Sequence, residues 1–147
     1  MDRGRGRHRR RGGRGGGLKP LLILAHGGTW EQRYQASALA ASAVAAGQPV
    51  HLALFFAALA AWVEGRWDDP EPAEVVTAER LAAVDHPPLT GLLAPGREAG
   101  TLHLHACSAS TRILGLTPAD VQARVDALAG WPTFHRLMRG AERTVTF

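Results

Sequence analysis

The sequence predicts an α/β fold, a three-layer sandwich around a mostly parallel sheet of four or five strands. Three observations lead there. The short apolar run Leu21–Ala25 is continuous, as a strand buried on both faces is, and Val50–Phe56, interrupted only by His51, is a second strand candidate. Helical stretches separate these runs from each other and from a third, Thr101–Ala106. The chain of 147 residues is 46% hydrophobic and 20% charged, which suits one domain with a real core, assigned to residues 18–147.

The elements follow in order. Leu21–Ala25 is bounded by Pro20 and by Gly27–Gly28. Thr29 and Gln32 have the spacing of a capping box, which opens an alanine-rich helix to about Ala46 with Gly47 as its stop. After the second strand, Ala57–Gly65 reads as a short helix. Asp68, Asp69, Pro70 and Pro72 mark residues 66–75 as a surface loop. Thr77–Val84 suits one or two helical turns, and Leu89–Ala99 a further helix. The third strand runs to Cys107, where Ser108–Leu114 begins another helix. Thr117, Pro118 and Asp120 give an N-cap, a first-turn proline and a first-turn acid. That helix is expected to bury Val121, Val125 and Leu128 and to end near Gly130. Pro132 opens a last helix to Gly140, and Arg143–Phe147 alternates as a closing strand.

Charge divides the chain. Residues 1–19 carry eight basic side chains and one acid, a net +7, whereas the remaining residues carry nine basic and twelve acidic, a net −3. Residues 1–17 are too rich in arginine and glycine to bury apolar surface and are expected to be disordered. Nucleic-acid binding is expected only through residues 3–17, by counterion release, with no aromatic residue there to stack on bases. A solubilising tail, or a start codon assigned too early, accounts for the same residues. The tail has no apolar segment of a secretory signal. The longest apolar run, Val50–Val63, contains a histidine and is shorter than a membrane span, so no membrane partner and a cytoplasmic location are expected. One cysteine excludes an internal disulfide.

Ligands of parallel sheets gather at the C-terminal strand ends. Three segments are predicted to converge there: His26–Trp30, Phe56–Trp62 and Cys107–Arg112. Cys107 at a strand–helix junction, with helix amides and the Arg112 cation nearby, is a candidate nucleophilic thiolate. A packed, inert cysteine fits the same position. His26 is the expected proton-handling neighbour, with His105 a second. His103, His105 and Cys107 alternate on one strand face. Such a ladder suits metal ligands, cleft-lining groups or locally satisfied histidines, and no metal is assigned because no further ligand lies nearby. His51 and His135 read as structural. The chain has no P-loop, no GxGxxG after the first strand and no GxSxG elbow.

Four segments together resemble the DsrE/DsrF family, small α/β proteins of sulfur relay. They are LLILAHGGTW before the alanine-rich helix, VHLALFF, LHLHACSASTRILGL, and FHRLMRGAERTVTF at the C-terminus. The resemblance spans Leu21 to Phe147 and leaves out the basic tail. It implies that Cys107 carries sulfane sulfur as a persulfide, with Ser108, Ala109 and Arg112 stabilising the anion. It also implies a sulfur donor or acceptor protein as partner and a homo- or hetero-oligomer; separately, no cofactor is expected. A non-catalytic oligomeric or small-ligand-binding module, with Cys107 structural, is the alternative.

Overall fold

A computed structural model of the chain describes residues 16–147. The tail predicted over residues 1–17 lies outside the described residues except for Gly16 and Gly17. Among the described residues are five strands and seven helices: β1 (Leu21–Ala25), α1 (Trp30–Ala45), β2 (Val50–Leu54), α2 (Phe56–Val63), α3 (Ala78–Ala83), α4 (Leu89–Glu98), β3 (Leu102–Cys107), α5 (Ser108–Ile113), α6 (Pro118–Gln122), β4 (Ala127–Ala129), α7 (Trp131–Gly140) and β5 (Arg143–Thr146). The strands form one sheet in the order β4-β3-β2-β1-β5, and every neighbouring pair is parallel. The architecture is the α/β sandwich that the apolar runs predict.

Topology decides which helix covers which face. The connections β1→β2→β3→β4 step across the sheet in one direction, so right-handed crossovers place their helices on one side. The last connection steps back past β1 to β5, and the same handedness sends α7 to the other side. The core divides accordingly. Leu21, Ile23, Leu52, Leu54, Leu102 and Leu104 pack with α1, α2, α4 and Val121 of α6. On the opposite face Leu22, Ala53, Phe55, Cys107 and Ala129 pack with Phe134 of α7.

The predicted capping box forms: Thr29 Oγ1 accepts from Gln32 N at 3.2 Å, and Gln32 Oε1 accepts from Thr29 N at 3.2 Å. Gly47, at φ +79°, ends the turn after α1. Strand β2 is two residues shorter than predicted, because Phe55 becomes the N-cap of α2 and Phe56 turns into the left-handed region at φ +42°. Residues 66–75 are irregular, as predicted, yet they are not only surface. Trp67 is buried and donates its indole N–H to Ser37 Oγ at 3.0 Å.

The helix expected from Thr117 to Gly130 is the main correction. It stops at Gln122, and Ala127–Ala129 forms β4 against β3. The edge of β3 offers this segment backbone bonds that a helix cannot use. Asp126 fixes the register, donating N–H to Leu104 O at 2.9 Å and accepting from Leu104 N at 2.7 Å through Oδ2. Val121 and Val125 are buried as expected, but from a helix and a turn instead of one helix face.

Close packing of α4 on the sheet leads to a testable result. Gly96 of α4 faces Leu102 and Val44, and a Cβ there would lie 2.9 Å from Leu102 Cβ and 3.0 Å from Val44 Cγ2. Gly96→Ala is therefore expected to destabilise the protein by about 1–2 kcal/mol in urea unfolding, despite the better helix propensity of alanine. A midpoint raised above that of the unsubstituted protein would show that α4 shifts freely.

Candidate functional site

The loops leaving the C-terminal strand ends part company between β3 and β4. After β3 the chain turns into α5 and toward α2, whereas after β4 it enters α7 on the other face. This divergence makes the topological switch point of the sheet, where α/β folds form their ligand crevices. Cys107 and Ser108 stand on one side of it and Gly130 on the other. A Cβ added at Gly130 would lie 3.7 Å from Ser108 Oγ, so the two loops are in contact.

Cys107 is both the last residue of β3 and the N-cap of α5. Its Sγ accepts from Ser110 N at 3.5 Å, and Thr111 Oγ1 donates to its carbonyl at 2.9 Å, which closes the first turn. Ser110 is fully buried, and its Oγ has no partner among the described residues. Cys107 itself is 2% exposed and shares an apolar cluster with Phe55, Phe134, Ala129 and Leu22. Phe55 and Phe134 of this cluster meet the exposed Trp131 in a set of three aromatic rings. Phe55 and Phe134 are 5.0 Å apart, Phe55 and Trp131 5.5 Å, and Trp131 and Phe134 5.8 Å. Beside them opens a cleft of about 250 Å³ lined by Leu24, His26, Phe55, Phe56, Trp131 and Thr146.

The other residues singled out in the sequence do not converge on the thiol. Ser108 and Ala109 are half-buried at the start of α5, next to Cys107. Arg112 is exposed in the last turn of that helix, at the end away from Cys107, and its side chain makes no hydrogen bond among the described residues. His26 is exposed in the cleft, and no hydrogen bond joins it to Cys107. The His26–Thr29 turn leads into an α1 N-terminus that already holds a carboxylate, since Glu74 accepts from Trp30 N at 2.9 Å.

His105 faces the same side of the sheet as Cys107 but points to a residue the sequence reading set aside. Its Nε2 lies 2.9 Å from Nδ1 of His51, on the neighbouring strand. Register places His51 directly beside His103, and these two rings stack with centroids 5.7 Å apart. The sequence-level ladder of His103, His105 and Cys107 thus becomes a cluster of three imidazoles, with Cys107 beneath α7 instead. Nothing local in the sequence shows this, because it depends on which residue of β2 lies beside His103.

Burial first, then the neighbouring His51 and His103 rings, lowers the His105 pKa to about 4, while Asp126 pulls the other way. Burial, then His103, also lowers that of His51. An unfolded histidine takes up its proton near pH 6.5. Stability from keeping His105 neutral is therefore fully present above that pH and is lost as pH falls toward 4. The loss is about 2 kcal/mol at pH 5 and levels off at about 3.4 kcal/mol below pH 4. Urea unfolding in chelator at pH 7.5 and pH 5 is expected to show it, and His105→Gln is expected to flatten the profile. Equal slopes for both proteins would place the acid sensitivity elsewhere.

Among the described residues no helix is long and apolar enough to cross a membrane. No known protein family and no curated protein matches the chain.

Proposed function

We propose that the chain is a sulfur-relay protein of the DsrE/DsrF type that carries sulfane sulfur as a persulfide on Cys107. The observation that carries this reading is the placement of the lone thiol: it caps α5 at the switch point of a parallel sheet, with its sulfur held by the Ser110 N–H. The Cys107 thiolate attacks the outer sulfur of a donor persulfide. A new S–S bond forms on Cys107, the donor's S–S bond breaks, and its electron pair leaves on the donor sulfur as a thiolate. No oxidant or reductant is consumed. The Ser110 amide is the nearest group able to stabilise negative charge on the carried sulfur; Ser108 and Ala109 flank it, and Arg112 acts only at longer range. The partners are a persulfide donor and a thiol acceptor, with assembly into oligomers as part of the same reading.

The reaction needs the packing of Phe55 and Phe134 around the thiol to open, since a sulfur 2% exposed cannot meet a donor. That same burial favours a second reading, a scaffold or ligand-binding module in which Cys107 is a packed small hydrophobe. Incubation of the full chain with a cysteine desulfurase and cysteine, without oxygen, separates the two. On the carrier reading, mass spectrometry finds one added sulfur on Cys107 and none on Cys107→Ser. If a known carrier is labelled in parallel and this chain is not, even as Phe134→Ala, the scaffold reading replaces it.

A further inference from the structure

On the side of the sheet that carries α1, α2 and α4, a groove runs between α2, α4 and the turn before β4. None of the residues lining it packs with Cys107. It consists of two adjoining clefts, of about 690 Å³ and about 260 Å³, that share Trp62 and Arg97. Arg124 lines the smaller cleft, and Glu98 and Asp126 line the larger. Among the described residues ion pairs form only at Arg66, with Glu64 and Glu71, so Arg97 and Arg124 have no carboxylate partner. We infer that this groove binds a nucleoside monophosphate, with the phosphate held by Arg97 and Arg124.

Three features of the groove support it. First, one indole ties the two arginines together. Trp62 donates its N–H to the Arg124 carbonyl at 2.8 Å, and the Arg97 guanidinium lies over the Trp62 ring, 5.5 Å from its centroid. The buried Trp67 meets that ring edge-on at 5.4 Å and fixes it in place. A guanidinium held over an aromatic ring keeps its N–H edges for an oxyanion. Second, Pro88, Gly91 and Ala94 follow at intervals of three and give α4 a wall without long side chains. A Cβ at Gly91 would meet nothing closer than Pro88 Cγ at 3.5 Å, so packing within the chain does not require the glycine. Such a wall lets a planar base lie against the helix. Third, the far end of the groove supplies acceptors. Asp126 uses Oδ2 for Leu104 N, which leaves Oδ1 for a ribose hydroxyl or a base amino group, and Glu98 stands beside it.

Charge complementarity selects this ligand over other anions. An acidic peptide would satisfy the arginines but would be repelled by Glu98 and Asp126 along the rest of the groove. The same carboxylates disfavour a chain of several phosphates. A molecule with one anionic end and a body of hydrogen-bond donors matches both ends, and the larger cleft has the size of ordinary small-molecule sites. The inference is independent of sulfur transfer, because Cys107 lies on the opposite face of the sheet.

The test is calorimetric titration of the full chain with AMP, GMP, CMP and UMP, with their nucleosides, with inorganic phosphate and with hexaglutamate. Salt at about 0.15 M screens loose attraction of anions to the arginines of residues 3–17. The expected result is that at least one nucleotide saturates at one equivalent, at least about tenfold tighter than phosphate or its own nucleoside. Arg97→Gln and Arg124→Gln are each expected to weaken that binding by at least about tenfold. Gly91→Leu is expected to block it by filling the wall of α4. Arg97, Arg124 and Gly91 are all exposed, so the folded state tolerates these changes. Arg139→Gln and Arg143→Gln, exposed arginines outside the groove, are expected to bind as the unsubstituted chain does. The inference is overturned if no nucleotide saturates at one equivalent, or if any of the three groove variants binds equally well. Phosphate binding as tightly as every nucleotide also overturns it, and tighter binding of hexaglutamate makes the groove a peptide surface instead.

Discussion

In the Phe134→Ala variant, the protein is expected to lose about 3–5 kcal/mol of stability and Cys107 to react with iodoacetamide several-fold faster. Phe134 is the only fully buried side chain of α7, with Leu137 and Ala141 packed at the margin of its cluster. Trp131 and Met138, on the same helix, are exposed. One ring therefore anchors the helix over the only cysteine. Deleting it leaves a cavity between α7 and the sheet and lowers the cost of local opening there. Urea unfolding reads the first effect and timed alkylation under native conditions the second. A loss below about 1 kcal/mol with unchanged alkylation would show that α7 is held otherwise. Faster alkylation without persulfide formation would support the packed-cysteine reading, since access would then no longer be limiting.

Arg33→Met is expected to be comparably damaging, by about 3 kcal/mol, with the effect concentrated in the loop after α2. Arg33 is a fully buried arginine whose guanidinium donates to backbone carbonyls: Nε to Thr29 O at 3.3 Å, Nη2 to Asp69 O at 2.7 Å, and Nη1 to Arg66 O. Burial holds its pKa below the ordinary value against the pull of Glu74 and Glu71. Methionine preserves much of the volume but leaves these carbonyls without their donor. Hydrogen exchange should then show residues 66–74 losing protection well before the sheet does. Uniform loss across the molecule, or none, would contradict a local role for Arg33. The residue also explains how a proline-rich, acidic segment becomes part of the core: Trp67 is carried in beside Ser37 while Arg33 fastens the chain on both sides.

Local patterns in the sequence transmit well where the physics is local. The capping box at Thr29 and Gln32 forms because its two partners are three residues apart and need no other part of the chain. Gly47 ends its helix turn for a similar reason, a backbone conformation at φ +79° that costs glycine little. The segment after Gln122 is different. Its helical spacing is genuine, yet Ala127–Ala129 pairs with β3, because an open strand edge and the Asp126 bonds to Leu104 outweigh a weak local preference.

The candidate sites divide along the same line. Cys107 at a strand–helix junction is legible because a strand pattern and a run of small residues meet at one position. Its burial is not legible, since that comes from α7, a helix some 25 residues later that crosses to the opposite face. His26 and Arg112 lie close to the expected strand ends in sequence, but side-chain direction and exposure keep both from bonding to the sulfur. The His51–His105 pair could be read only with the register of β2 on β3 in hand.

By itself, then, the sequence determined an α/β domain, its helix starts and the thiol at a strand end, because periodicity, caps and turns act within a few residues. Tertiary structure alone decided the strand order, the fifth strand, the cover over Cys107 and the meeting of three histidines, because parallel pairing joins segments from 22 residues apart (His105 with Ala127) to 122 (Leu21 with Arg143).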